Sequence, residues 1–287
     1  IFYLVLILTL DCIFYISNDR KVIYPKEIDI YIPLQNIAIE INGLYWHGEN
    51  FKHKSYHIEK TLKLNDKNIR CIHIFEDEWY NKKEIIKSKL AHILHRSTSE
   101  KIYARKCNIR EIDSKTKNEF LNKTHIQGED KSKIKLGAFY NDELIAVMTF
   151  GSLRISLGQK NKKLNEYELI RFSSSVHCVG IASKLLTHFI KRYNPNKIIT
   201  YADKRYSVGN LYEKLNFKHI GNSVPNYWYF HRSNKMKLFH RFKFRKDQLP
   251  KLLENFDPSL SEWKNMQMNG FDRIWDCGNL KYEWIKK

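Results

Sequence analysis

The chain has 287 residues, 43% of them hydrophobic and 14% aromatic, with 50 Lys and Arg against 31 Asp and Glu. That length accommodates two domains of ordinary size, and that hydrophobic fraction excludes a disordered chain. The formal net charge of +19 points to a polyanion partner, nucleic acid first and an anionic membrane second.

Residues 1–10 read IFYLVLILTL. The run meets Asp11 too early for a membrane span, which needs ~20 apolar residues, and it lacks a basic flank and a small-residue cleavage site. It is read as a buried helix or strand of the first domain. Five cysteines, Cys12, Cys71, Cys107, Cys178 and Cys277, lie far apart with no CxxC pair. This excludes a disulfide framework and a cysteine-rich zinc site, so a reduced, intracellular protein without a membrane anchor is expected.

Residues 18–25 (NDRKVIYP) read as a turn followed by a strand. Residues 27–47 (EIDIYIPLQNIAIEINGLYWH) form the most informative stretch. Two short apolar runs flank a turn signal at residues 33–36. Glu27 and Asp29 share one face of the first strand, and Glu40 and Asn42 share one face of the second. If these strands pair, Asp29 and Glu40 converge on one cation. Hard oxygen ligands left partly open suit Mg²⁺.

Residues 48–70 are polar, with helical spacing from Tyr56 that puts Ile58 and Leu62 on one side. Lys60, Lys63 and Lys67 are then expected to point elsewhere and meet phosphates. His53 and His57, four apart, are read as phosphate contacts or solvated side chains. CIHIF (71–75) is a buried strand. Glu76, Asp77 and Glu78 sit at a helix start, where the dipole favours negative charge. Residues 84–96 form an amphipathic helix that closes the domain, and STSE (97–100) is the linker.

The order Asp, turn, Glu-x-Asn resembles the PD-(D/E)XK nuclease core, with Asn42 in the slot of the motif lysine. NGLYWH (42–47) and IRCIHIFEDEW (69–79) resemble more narrowly the very-short-patch-repair (Vsr-type) endonucleases, above all the Vsr-like homing endonucleases of phages. The resemblance implies a metal-dependent DNA endonuclease with Mg²⁺ as cofactor and double-stranded DNA as substrate. Asp29 and Glu40 would hold the metal, and His47 would transfer a proton. Asn42 would hydrogen-bond water or phosphate, and Glu27 would bind a second ion or orient Lys60.

The second domain opens with a strand-like run near residue 102. A helix follows over 114–128, then a hairpin over 134–154 turning at Asn141 and Asp142, and a strand over 167–175. Residues 179–194 form a helix with Gly180 at its start. Residues 197–221 give a strand, a loop, a short helix and a return strand. This order, with VGIA at 179–182 and NLYEKLNF at 210–217, resembles the GNAT acyltransferases. Small residues at a helix start let backbone N–H groups approach a pyrophosphate. His177 stands where that family favours Gln or Arg. The implied alternative function is acyl-CoA-dependent transfer to DNA or protein; a further alternative is a non-catalytic DNA-binding protein.

Residues 231–251 carry eight Lys or Arg and one Asp. Read as a strand, HRFKFRK places Arg241, Lys243 and Arg245 on one face to neutralise phosphates. Residues 263–284 read as a closing hairpin. The expectation is an α/β chain in two domains. Residues 1–97 would hold a restriction-endonuclease-like core with a mixed sheet. Residues 102–287 would form an α+β, GNAT-like, basic domain that grips DNA.

Overall fold

The computed structural model describes residues 13–96, 101–153 and 165–286. The apolar run at 1–10, Cys12 and the linker expected at 97–100 lie outside them. In chain order the first strands are β1 (Ile16–Asp19), β2 (Ile28–Ile32) and β3 (Ile37–Asn42). They are followed by α1 (Leu44–His47), α2 (Tyr56–Asn65), β4 (Arg70–Phe75) and α3 (Glu76–Ile93). The middle holds β5 (Ile102–Tyr103), β6 (Asn108–Glu111), α4 (Ser114–Thr124), β7 (Ile134–Tyr140), β8 (Glu143–Ser152) and β9 (Glu166–Ser174). Then come β10 (Cys178–Val179), α5 (Ile181–Tyr193), β11 (Lys197–Asp203), α6 (Asn210–Lys214) and β12 (Lys218–Asn222). The chain ends with β13 (Tyr227–His231), β14 (Asn234–His240), α7 (Leu249–Leu252), α8 (Glu262–Met268), β15 (Phe271–Trp275) and β16 (Asn279–Ile285).

The fold is mixed α/β with mixed sheets, in two compact units that interleave along the chain. The first takes the described residues up to Lys83, with Asp203–Val208 and Ser223–Asn279; the second takes those of Glu84–Ala202, Gly209–Asn222 and Leu280–Lys287. The division expected at residues 97 and 102 assigns residues 223–279 to the second part, whereas they pack in the first.

In the first unit β1, β2, β3 and β4 form one sheet in that order. The β2–β3 hairpin pairs antiparallel with Ile30 opposite Ile39, and β4 joins β3 in parallel. Asn36 accepts the left-handed backbone of the turn (φ 50°), a conformation that Asn tolerates better than most residues. Residues 20–26 are a turn, not the expected strand. The Asp19 carboxylate accepts the N–H groups of Lys21 and Val22, which bends the chain at once. The same unit holds the sheet β14-β13-β15, over a core of Tyr229, Phe244, Leu249 and Met266.

The basic tract does not run on as a strand. β14 stops at His240, and residues 241–244 form a 3₁₀ turn capped by the His240 side chain. The closing hairpin is also absent: β15 pairs with β13, and β16 pairs with β12. Gly278 (φ 71°) turns the chain between them where any Cβ would meet the Ser223 carbonyl.

In the second unit seven strands run in the order β12-β16-β11-β9-β8-β7-β6. The β7–β8 hairpin turns at Asn141 (φ 49°) and Asp142 (φ 62°), as their residue types predict. One face packs on α5 through Ile181, Leu185, Leu186 and Phe189, and Phe150 stacks on Phe189 at 3.5 Å. Among the described residues no helix is long and apolar enough to cross a membrane. The described cysteines are free thiols, with the Cys107 and Cys178 sulfurs 3.8 Å apart.

Candidate functional site

The first unit holds a cleft of about 450 Å³ lined by Glu27, Asp29, Glu40, Trp46, His47 and Lys60, among others. The hairpin supplies the acids because β2 and β3 alternate their side chains and both put a carboxylate on this face. Asp29 Oδ2 accepts the Ile41 N–H at 2.6 Å. Glu40 is 1% exposed and forms an ion pair with Lys60, which is 4% exposed. Its other oxygen, Oε1, is buried with no hydrogen-bond partner among the described residues. Burial pushes the Glu40 carboxyl up, and the Lys60 ammonium beside it pulls it back down. Burial likewise raises Asp29, while Lys60 is held above its usual range by Glu40 and Asp29.

Behind the acids stands a row of imidazoles. His47 Nδ1 lies 3.1 Å from His57 Nε2, and the rings stack. The His57 ring meets His73 edge-on at 5.5 Å. His73 contacts Asn42 Nδ2 at 3.2 Å and Thr61 Oγ1 at 2.8 Å. Burial lowers all three histidines, and neighbouring positive charge adds to it; His47 falls to about 4. With all three lowered, the neutral imidazoles are favoured at neutral pH, and of the three rings His47 and His57 are within hydrogen-bond distance of each other.

The structure therefore gathers Asp29, Glu40, His47 and Lys60 at one cleft, with Asn42 behind it and Glu27 at its rim. Glu27 pairs with Arg20 at 2.7 Å, so it does not orient Lys60. Lys60 is buried on Glu40 and is not a surface phosphate contact. Lys63 is exposed and lines a second cavity with Lys21, Lys67 and Tyr24.

The second unit offers a different site. β9 and β11 run parallel and pair from Glu166–Lys197 to Leu169–Thr200 and no further, although β9 continues to Ser174 and β11 to Asp203. The cause lies on the other side of β9. Against β8, Thr149 faces Arg171 and Phe150 faces Leu169, which leaves Ile170 as an extra, bulged residue. A bulge bends its strand and increases its twist, so the two parallel strands part immediately beyond it. The opening lies at the carboxyl ends of the parallel strands, where α/β sheets bind ligands.

From β9 the chain passes to Gly180, which is exposed in a left-handed conformation (φ 80°) and starts α5 without a side-chain cap. A Cβ at Gly180 would meet only Ala104, at 3.7 Å; the neighbours of Ala104, Arg105 and Lys106, are exposed. Uncapped N–H groups and two cations are suited to an anion. At the base of the opening Thr200 donates to the Leu169 carbonyl at 3.0 Å and shares a hydrogen bond with Tyr212 of α6. Burial raises the Tyr212 phenol above its usual range. Sequence reasoning found Gly180 but missed the bulge, whose register depends on a partner strand, and did not single out Tyr212 within NLYEKLNF.

No family model and no curated protein matches the chain. Solved structures similar to it include an N-acetyltransferase from Staphylococcus aureus (16% identity, TM-score 0.34, 63% of this chain and 99% of that one). A Bacillus subtilis acetyltransferase in complex with CoA is similar at 16% identity and TM-score 0.34, over 63% of this chain and all of that one. Arabidopsis thaliana Naa50, bound to a bisubstrate CoA analogue, is 14% identical at TM-score 0.34, over 41% of this chain and 87% of that one.

The expectations drawn from the Vsr resemblance are corrected by these observations. The similar solved structures do not support a Vsr-like endonuclease or a restriction-endonuclease-like core, and phosphodiester hydrolysis is withdrawn with them. Mg²⁺ on Asp29 and Glu40 is withdrawn as well. The ammonium of Lys60 already occupies the cation position at Glu40, and Asp29 is bonded to the backbone of the partner strand. Among the described residues no group of three or more His, Cys, Asp or Glu could hold a metal ion.

Proposed function

We infer that the second unit is a GNAT-like, acyl-CoA-dependent acyltransferase. The observation that carries this reading is the bulge at Ile170, immediately after the last β9–β11 pair, Leu169 with Thr200. An extended, amide-bearing chain can lie in such an opening and bond to a strand edge as another strand would. Six residues beyond Ser174, the N–H groups at Gly180 to Ser183 are placed for a pyrophosphate, with Arg105 and Lys106 supplying positive charge. Acyl-CoA, when bound, supplies an acyl group activated as a thioester.

The residues of this chain then do the remaining work. β9 orients the bound chain, and the α5 start holds its phosphates. The Tyr212 phenol, which carries its proton at neutral pH, would give it to the thiolate that leaves as the acyl group passes from the thioester to an acceptor nucleophile. His177 is not the Gln or Arg favoured at its position in that family, so the backbone and the neighbouring cations carry the phosphate contacts here.

The test is calorimetric binding of acetyl-CoA to the full chain and to Ser183→Glu. Ser183 is exposed in the first turn of α5. A carboxylate there favours the helix by about 0.3–1 kcal/mol but repels phosphate. Wild type should bind, and the variant should bind at least about tenfold more weakly with no loss of melting temperature. Absence of binding by wild type at millimolar acetyl-CoA would rule the reading out.

A further inference from the structure

β14 and the turn after it carry a strip of charge that acyl transfer does not use. Arg232, Lys237, Arg241, Lys243, Arg245 and Lys246 are all exposed. Among the described residues the tract's ion pairs are Glu76 with Lys235 at 3.1 Å and Asp247 with Arg245 at 3.5 Å, and the Asp272 carboxylate also feels Arg232. Several of the cations rest on rings instead of carboxylates. The Arg241 guanidinium lies 5.6 Å from the Tyr227 ring and 5.4 Å from Phe242, and the Lys243 ammonium lies 4.4 Å from Phe239. A ring face positions a cation without cancelling its charge, so the strip keeps its field.

Charges on an edge strand often serve only to discourage pairing with another chain, and β14 is an edge. That purpose accounts for Lys235 and Lys237. It does not account for Arg241, Lys243, Arg245 and Lys246, which lie on the 3₁₀ turn and just beyond it, where no ladder edge is offered. Exposed Arg232 and Arg241 flank the 7 residues of β14, so at a rise of about 3.3 Å per residue the strip spreads its cations over about 23 Å. That length matches several successive phosphates of a nucleic-acid strand, spaced about 3.4 Å along the axis.

We propose that this strip docks double-stranded DNA through its phosphates. Single-strand platforms present successive rings on which bases stack. Here one large ring, Phe242 at 51% exposure, accompanies six exposed cations, so phosphate neutralisation dominates. An anionic membrane surface would favour an amphipathic helix with an apolar face, and the tract is a strand and a turn.

The experiment measures the affinity of the full chain, without acyl-CoA, for a labelled duplex of about 25 base pairs across a salt series. It is repeated with the matching single strand and with vesicles containing anionic lipid. For Arg241→Gln/Lys243→Gln/Arg245→Gln the slope of log affinity against log salt should fall by about 2.7, at about 0.9 for each phosphate left without its cation. Each single change should lower it by about 0.9, so the result does not depend on the triple variant folding. The control Lys123→Gln/Lys133→Gln/Lys218→Gln removes the same charge from exposed positions of the second unit and should leave the slope unchanged. Equal effects from both sets would overturn the proposal in favour of net charge alone. Tighter binding of the single strand, or binding confined to vesicles, would also overturn it. Because acyl-CoA is absent throughout, failure here leaves the acyltransferase reading standing.

Discussion

Lys60 reaches Glu40 from the middle of α2, and neither side chain is more than 4% exposed. Two charges taken this far out of water are tolerated because each neutralises the other, so removing one strands its partner. Lys60→Met should destabilise the first unit by about 3–5 kcal/mol in urea unfolding. Lys60→Met/Glu40→Gln should recover most of that loss, because no uncompensated charge is left. A cost below about 1 kcal/mol for the single change would mean that the pair is not buried in solution. His47 makes a second, pH-dependent case. Its folded value of about 4 lies below the ordinary 6.5, so the unfolded chain binds more protons between them. The stability it contributes is complete above pH 6.5 and is lost as pH falls towards 4. Glu40 acts with the opposite sign. Burial raises its carboxyl, so its contribution falls as pH rises. The whole-protein curve mixes the two, and the useful quantity is a difference. Between pH 7 and pH 4 wild type should lose on the order of 2 kcal/mol more than His47→Gln, after discount for the partial exposure of His47. Parallel curves would show that His47 is protonated as readily folded as unfolded.

Among the elements, α6 and β16 constrain one another through a glycine. Gly209 has φ 88°, and a Cβ on it would run into the Tyr282 hydroxyl and lie 2.6 Å from its ring. Tyr282 is 2% exposed, so its ring has nowhere to move. Gly209→Ala should lower the stability of the second unit by about 2–4 kcal/mol, combining left-handed strain with overpacking. Gly221→Ala, also at positive φ (144°) but with nothing within 4 Å, should cost only the backbone strain. Thermal melts of the two variants make the comparison, and equal losses would remove the packing argument. The same scale explains what the sequence disclosed. The acid-bearing hairpin was legible because carboxylates at one parity on apolar strands survive as a local pattern. α2 misled because its buried face is His57, Lys60, Thr61 and Leu64, a polar helical stripe. Apolar spacing picked Ile58 and Leu62 instead, and Leu62 is half exposed. The HRFKFRK alternation read as a strand, but only Phe244 of that turn is buried, and the His240 cap closes a 3₁₀ turn. The bulge at Ile170 had no local mark at all, since it exists only as an offset against β8.

Over the whole molecule, the two units are each assembled from separate stretches of chain, and the surplus of positive charge is spread over both. A net charge of +19 by itself predicts weak, salt-sensitive attraction to any polyanion, including the phosphates of CoA. Affinity alone therefore cannot separate a built site from a general field, whereas location can. An anion drawn only by net charge has no preferred amides and slows their exchange nowhere in particular. A ligand seated at the α5 start and along β9 closes those N–H groups from water and raises their local opening free energy. Acetyl-CoA should slow hydrogen exchange at residues 170–174 and 180–184 and leave residues 232–246 unchanged. A DNA duplex should do the reverse. Protection of the same amides by both ligands would reduce the two sites to one field, and acetyl-CoA protection confined to residues 232–246 would move the acyl-CoA site out of the second unit altogether.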